Sequence, residues 1–246
     1  MKTLPFIAFL FFGVNSLSSQ SLTARITYNV FSENIKSSQS QSHFLNFGQI
    51  EHLETVSAKK PINFILTIQD HEARFEPEFD LPTKKNLGYT FDRVATLAEH
   101  DKIYYHDRRT GQSLFQSFWT KNYVVSVDKP EWTYTGETKK IGGFTCKKAV
   151  LKTQIDRIRG MEYVAPVEVW YAPEIQTDVG IQYLHGLPGL TLEATFYFYE
   201  GSITFIARGM DLNPEGNISI HKPSADHMIS QAEYHELIEK MNTYRN

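Results

Sequence analysis

Three short runs in this 246-residue sequence imitate known chemistry, and each lacks one essential part. His235-Glu236-Leu237-Ile238-Glu239 opens as a zinc-peptidase helix does, but Glu239 stands where a second histidine must lie one turn on, so a metal would not be held. Ser126-Val127-Asp128-Lys129 has the spacing of a serine–lysine pair without its companion motifs. Asp211-Leu212-Asn213-Pro214-Glu215-Gly216 copies the opening of a calcium loop, yet its twelfth position is Lys222 rather than a bidentate glutamate. That last run reads as a turn. The sequence contains no G-x-S-x-G elbow, no G-x-x-x-x-G-K-[ST] phosphate loop and no G-x-G-x-x-G.

The remaining candidates are scattered. The histidines (His43, His52, His71, His100, His106, His185, His221, His227, His235) show no close pairing of the kind that marks a metal site. Cys146 is the single cysteine and cannot close an intramolecular disulfide; in Phe144-Thr145-Cys146-Lys147 it reads as a buried, inert thiol, with a reactive or metal-binding thiol as the alternative. If folding brings His185 to Cys146, a soft copper or zinc site is conceivable. If Glu174, Asp178, His185 and Cys146 converge, an envelope hydrolase is. Trp170 and Tyr171, just before Pro173, have the chemistry to floor an apolar pocket or simply to pack a core.

Composition narrows the partners. An apolar fraction of 41% argues against a long disordered chain. With 25 bases against 28 acids, no cationic surface for nucleic acid is to be expected. Lys2, the apolar run Leu4–Val14 and the polar exit Asn15–Gln20 have the layout of a secretory signal over residues 1–20. Eleven apolar residues reach only about 16 Å as a helix, short of a bilayer core of about 30 Å. An uncleaved anchor or a buried first helix is the competing reading. No later segment is apolar enough to span a membrane, so residues 21–246 are expected as one domain in the periplasm or beyond. No cysteine follows the leader, which leaves no attachment point for a lipoprotein anchor.

The elements that must position these groups are mostly strands, as the aromatic fraction of 13% favours. Ala24–Phe31 alternates Ile26, Tyr28 and Val30 against Arg25, Thr27 and Asn29. Further strands are expected at Asn63–Gln69, Ile103–Tyr105, Ser113–Phe118, Tyr123–Val127, Trp132–Thr135, Phe144–Ile155 and Val164–Tyr171. Polar loops are expected at Ser32–Ser42 and Glu76–Asn86, while Phe91–Ala98 is ambiguous. Leu190–Met210 is the clearest hairpin, turning at Glu200-Gly201, and its long strands point to a large curved sheet. At the end, Tyr234, Leu237, Ile238 and Met241 form one helical stripe behind a Ser230/Glu233 capping box, with Ile229 placed to staple onto Tyr234.

His185-Gly186-Leu187-Pro188-Gly189-Leu190 carries Gly-Leu-Pro-Gly-Leu, and this segment resembles the signature of the GLPGLI family of exported Bacteroidetes-type proteins. Trp132-Thr133-Tyr134-Thr135-Gly136-Glu137-Thr138-Lys139-Lys140-Ile141, Gly143-Phe144-Thr145-Cys146-Lys147-Lys148-Ala149 and Val169-Trp170-Tyr171-Ala172-Pro173-Glu174-Ile175 resemble three further family segments, in family order. Thr191 departs from the family's final isoleucine, and Ile181 from a usual proline. The resemblance implies export and a β-rich fold, and no reaction.

Physically, Leu187-Pro188-Gly189-Leu190 reads as a type II turn, with proline setting φ at the second position and glycine taking positive φ at the third. The expectation is thus a mainly β (α+β) single domain, a half-barrel or sandwich-like antiparallel sheet with an amphipathic C-terminal helix. Its function is expected to be non-catalytic: an exported binding or accessory protein, without cofactor, holding a hydrophobic ligand or an envelope partner's segment. Trp170, Tyr171, His185 and Leu187 are the candidate ligand contacts. Gly186, Leu187, Pro188, Gly189, Leu190, Trp132 and Cys146 are the structural motif. Metal handling and envelope hydrolysis remain the alternatives.

Overall fold

The computed structural model describes residues 22–35, 62–78, 93–152, 162–216 and 218–243. The expected leader and most of the two expected polar loops lie outside them. Everything regular in the described chain belongs to one sheet and what packs on it. Strand β1 (Thr23–Glu33) is its centre, because its alternating residues pair on both sides: Ile26 faces Leu66 of β2 (Asn63–Gln69) and Met210 of β11 (Gly201–Leu212). On one side a meander continues through β3 (Glu72–Pro77), β4 (Lys102–Asp107), β5 (Gln112–Ser117) and β6 (Tyr123–Ser126). On the other it runs back through β10 (Leu190–Phe198), β9 (Ala165–Ala172), β8 (Phe144–Leu151) and β7 (Trp132–Ile141). Both wings are antiparallel. The sheet stays open, with β7 at one end and the short β12 (His227–Ser230), parallel to β6, at the other.

Alternation decides which face is covered. Ala24, Ile26 and Tyr28 of β1, Phe64, Leu66 and Ile68 of β2, and Ala73 and Phe75 of β3 are all buried, and their neighbours in sequence are more exposed. The sheet curves around these side chains. Three strand intervals separate β3 from β11, about 14 Å in a flat sheet, yet the rings of Phe75 and Phe205 lie 6.0 Å apart and Phe64 and Phe205 5.3 Å apart. The large aromatic side chains therefore converge on the inner side, where edge-to-face contacts such as Tyr28 on Phe75 fill the space.

The expected hairpin, strands and terminal helix are present. The helix α2 (Gln231–Thr243) opens with the reciprocal capping box: Ser230 donates its N–H to Glu233 Oε2 at 2.7 Å, and the Glu233 N–H returns to Ser230 Oγ at 3.3 Å. Its Tyr234 is buried edge-on against Phe115, 5.0 Å between centroids, while Ile229 and Ile238 pack at the margin of the same core. Phe91–Ala98 resolves, over its described part, into one helical turn, α1 (Arg93–Leu97). Several strands differ from the sequence reading. Strand β1 takes in Ser32 and Glu33 of the expected polar loop, β7 runs on to Ile141, and β8 ends at Leu151, with residues 153–155 of the expected strand outside the described residues. Glu76 and Pro77 close β3 rather than opening a loop, because Ala73, Phe75 and Pro77 all face inward and proline is tolerated at a strand end. Strand β12 was not expected, since four residues carry too short a pattern.

Segment 218–226 crosses the outer face on its way to β12. Ile220 lies on the buried trio Tyr105, Leu114 and Val124, a small second core. Arg74 donates to the carbonyl of His221 at 2.8 Å, and Lys222 to Gln112 at 2.5 Å. No helix among the described residues is long and apolar enough to cross a membrane.

Candidate functional site

The connection from β9 to β10, residues 173–189, has no regular secondary structure and yet is buried against the inner face. Ile175, Val179, Ile181, Tyr183, Leu184 and Leu187 are each at most 7% exposed. A buried irregular chain must satisfy its own backbone, and this strap does so locally. The Gly186 N–H reaches the Asp178 carbonyl at 2.6 Å, Leu184 reaches Ile181 at 2.9 Å, and Leu190 closes the loop on Ile175 at 3.2 Å.

The signature sits where the strap re-enters the sheet. Its turn is tighter than the expected type II turn: the Gly189 N–H bonds the Leu187 carbonyl at 2.9 Å, closing three residues around Pro188. The reason is register. Leu190 pairs with Ala172 at the end of β9, so Gly189 must lie directly on that strand end, at φ +155°. A β-carbon there would stand 2.4 Å from the Ala172 carbonyl oxygen. Leu187 and Leu190 are consequently drawn into the core, and Pro188 is left exposed.

One polar cluster lies within this apolar interface. His106 and Ser113 are partners across the β4–β5 hairpin. His185 of the strap covers them, its ring 4.3 Å from that of His106. His185 Nδ1 lies 2.9 Å from the Tyr183 carbonyl, which can only accept, so Nδ1 carries the proton. Nε2 is then free to accept from the Ser113 hydroxyl at 3.2 Å. Ser113 Oγ in turn accepts from His106 Nδ1 at 2.7 Å. This chain of donors leaves His106 Nε2 buried with no hydrogen-bond partner among the described residues. Burial is the main cause holding both rings neutral: it lowers His106, and with the adjacent His106 ring it brings His185 down to about 4. At the rim, Arg108 Nε grips Asp178 at 2.5 Å. Trp132 Nε1 donates to the His185 carbonyl at 2.9 Å, which ties the tryptophan segment of the sequence directly to the signature segment.

The other sequence candidates fall elsewhere. Trp170 and Tyr171 are successive strand residues and point to opposite faces, so they do not floor one pocket. Tyr171 is buried on the inner side. Trp170 lies under two ammonium groups, Lys139 at 4.3 Å and Lys148 at 5.8 Å from its ring, which are bound in turn to Glu193 and Glu168. Cys146 is fully buried, and burial pushes its thiol up to about 11. Glu174 accepts the Thr145 N–H at 3.1 Å on the exterior. Among the described residues no hydrogen bond joins any two of the Glu174, Asp178, His185 and Cys146 side chains, and no group of three or more His, Cys, Asp or Glu is placed to hold a metal ion.

Sequence reasoning found His185 and missed His106 and Ser113. The hairpin register around Asp107–Gln112 places those two opposite each other, but nothing local announces a partner 72 residues away. A second buried polar group was missed as well. Lys102 Nζ binds Glu99 at 2.8 Å, Tyr104 donates to the same carboxylate, and Lys102 lies over the rings of Phe115 and Tyr234. Beside it Asp101 accepts from Ser117 at 2.5 Å; its carboxyl is raised by burial, against the opposing pull of Lys102. This group anchors α2 to the sheet.

No family model matches the chain, and no curated protein does. Among solved structures it is similar to PNGF-II in two crystal forms, with 18% and 20% identity and a TM-score of 0.51 in each. The likeness covers 89% of this chain and 33% or 34% of PNGF-II, so the chain spans about a third of that protein's length. What is shared is the fold. A domain described as an outer membrane lipoprotein-sorting protein domain, from Vibrio parahaemolyticus, aligns over 79% of this chain at 6% identity and a TM-score of 0.30, a likeness too loose to carry an argument.

Proposed function

We propose that this chain is an exported, non-catalytic accessory protein of the GLPGLI kind, which holds an apolar ligand or a partner's apolar segment on the inner face of its sheet. The observation that carries this reading is the strap: the curved face already accommodates an irregular, apolar length of polypeptide in cis. Such a face has the aromatic lining and curvature that apolar ligand sites share. Two further features support it. The candidate catalytic groups are engaged separately, by Arg108, by a backbone N–H and by the core. The PNGF-II fold, with its counterpart making up a third of a larger chain, supports a unit that works beside other structure.

Trp132 reports on the strap through its bond to the His185 carbonyl, so a variant with Trp119→Phe and Trp170→Phe gives a single-tryptophan probe. Titration with a medium-chain fatty acid and with an apolar peptide is expected to give a saturable change in its emission for at least one of them. Native mass spectrometry of the protein drawn from its own cell envelope is expected to show a bound apolar species. No emission change with either probe, together with a bare mass, overturns the proposal.

A further inference from the structure

We infer that His106, Ser113 and His185 form a proton-operated latch, which fastens the strap to the β4–β5 hairpin and loosens it when an imidazole takes up a proton. The geometry asks for this. The strap is held besides by apolar packing, by backbone bonds, and by neutral side-chain bonds from Trp132 to the His185 carbonyl, from Gln182 to the Ala98 carbonyl and between Tyr163 and Tyr183. The carboxylates of Asp178 on Arg108 and Glu174 on the Thr145 N–H hold it too; none of these places an imidazole in the contact. With both rings neutral, the three bonds of the cluster (His185 Nδ1 to the Tyr183 carbonyl, Ser113 to His185 Nε2, His106 Nδ1 to Ser113) each have a donor and an acceptor. A proton on His185 Nε2 would make Ser113 Oγ an acceptor, and its hydroxyl would then turn to His106 Nδ1, which drives that ring's own proton onto the unpartnered Nε2. The rings, 4.3 Å apart, cannot both be charged without strong repulsion. His106 Nε2 has no hydrogen-bond partner among the described residues to receive that displaced proton.

The surrounding charges do not rescue an imidazolium. From β4 and its turn come Asp107 and Arg108, from the strap Asp178, and from the segment before β7 Lys129. Asp178 is already bound by Arg108, and Asp107 accepts the N–H groups of Arg109 and Thr110. Two carboxylates thus stand against two cations, and the remaining groups facing the rings are the Tyr183 and Gln112 backbones and the Ser113 hydroxyl. The balance leaves desolvation in command.

The sign follows. Both histidines have depressed values in the folded chain, so the fastened state is favoured above the ordinary imidazole range. That advantage is lost as pH falls from about 6.5 towards about 4. For His185 alone, the opening equilibrium should rise roughly 30-fold between about pH 7.5 and about pH 5. What an opened strap admits rests on the binding reading above; the latch itself does not.

Hydrogen exchange of the full chain, corrected for intrinsic rates, tests it at the same two pH values. Peptides covering 177–187 are expected to lose protection roughly 30-fold, while those of β1 and β11 change far less. Unchanged protection in the strap overturns the latch, and so does a loss shared equally by β1 and β11, which would mean global unfolding. His185→Gln keeps a donor and an acceptor without taking a proton, and is expected to remove most of the effect. Should that variant not fold, ring-nitrogen NMR of the unmodified chain decides: the expected result is Nδ1–H on His185 with its titration midpoint below 5, and an ordinary midpoint near 6.5 refutes the proposal. A strap that opens in acid while neither fatty acid nor peptide binds at either pH would sustain the latch and sink the binding reading alone.

Discussion

Replacing Gly189 by alanine adds one methyl group at the point where the signature rests on the end of β9. That methyl would stand 2.4 Å from the carbonyl oxygen of Ala172, 2.6 Å from its carbonyl carbon and 2.7 Å from Cα of Pro173. All three are backbone atoms in or next to the Leu190–Ala172 pairing, so no side-chain rotation relieves the contact. Either the strand end or the strap must move. Overpacking of this kind costs about 1–3 kcal/mol, and an L-residue at φ +155° adds about 1–3 kcal/mol of backbone strain. A loss of about 4 kcal/mol is therefore expected. In a chain of this size each kcal/mol moves the melting temperature by about 2–4 °C, which places the shift near 10 °C. Gly136→Ala is the matched comparison. Its φ is +81° with nothing within 4 Å of the added carbon, so it bears only the left-handed backbone cost, about 1–2 kcal/mol. Calorimetry or urea unfolding of the two variants side by side gives the answer. Equal losses would show that the close approach to β9 has no energetic weight, and the account of the signature as a contact-enforced turn would fall with it.

Two other outcomes follow from buried groups. Cys146, pushed up to about 11 and fully buried, should resist a thiol reagent at about pH 8 in the native chain and react once in denaturant; rapid native labelling would contradict its placement. Lys102→Met strands the Glu99 and Asp101 carboxyls without their ammonium, so a loss of about 3–5 kcal/mol is expected at neutral pH. Asp101 is already raised by burial, and a raised acid favours the folded state at low pH. The deficit relative to the unmodified chain should therefore shrink on acidification, and a pH-independent deficit would show that the ammonium neutralises nothing.

How legible the fold was depended on the distance over which each feature is decided. Asn63–Gln69 was readable to the residue because its alternation is complete within seven positions. The capping box at Ser230 and Glu233 was equally plain, being a contact between residues three apart. Strand β3 was obscured because Glu72, Arg74 and Glu76 occupy its outer positions and Pro77 its end, so composition spoke for a loop while alternation spoke for a strand. Strand β12 has four residues and a parallel partner more than a hundred positions earlier, and no local pattern encodes that. The site divided along the same line. His185 and the turn glycine could be seen in a motif. Their partners, His106 across the strap and Ala172 beneath Gly189, are created by the register of distant strands. The type II expectation erred for this reason: proline and glycine fixed the local preference, and contact with β9 chose a tighter geometry.

The latch and the proposed binding face are linked thermodynamically, and the link has a measurable sign. A shift of His185 from about 6.5 to about 4 makes the fastened strap weaker by roughly 3 kcal/mol once pH lies well below both values. That alone does not replace the apolar contacts of Ile181, Leu184 and Leu187, which must find other apolar surface if the strap is to stay away from the sheet. An apolar occupant of the inner face would supply that surface. Proton and ligand are then expected to cooperate, each favouring the same displaced state, and such coupling is reciprocal. If protonation tightens ligand binding, binding must draw protons from solution as His185, freed from burial, returns towards its ordinary range. Calorimetric titration of a medium-chain fatty acid at about pH 5.5, in two buffers of different ionisation enthalpy, should therefore report proton uptake approaching one per molecule bound. Binding with no proton uptake would mean that the ligand occupies the protein with the strap still fastened, and the inner face beneath it would not be the site.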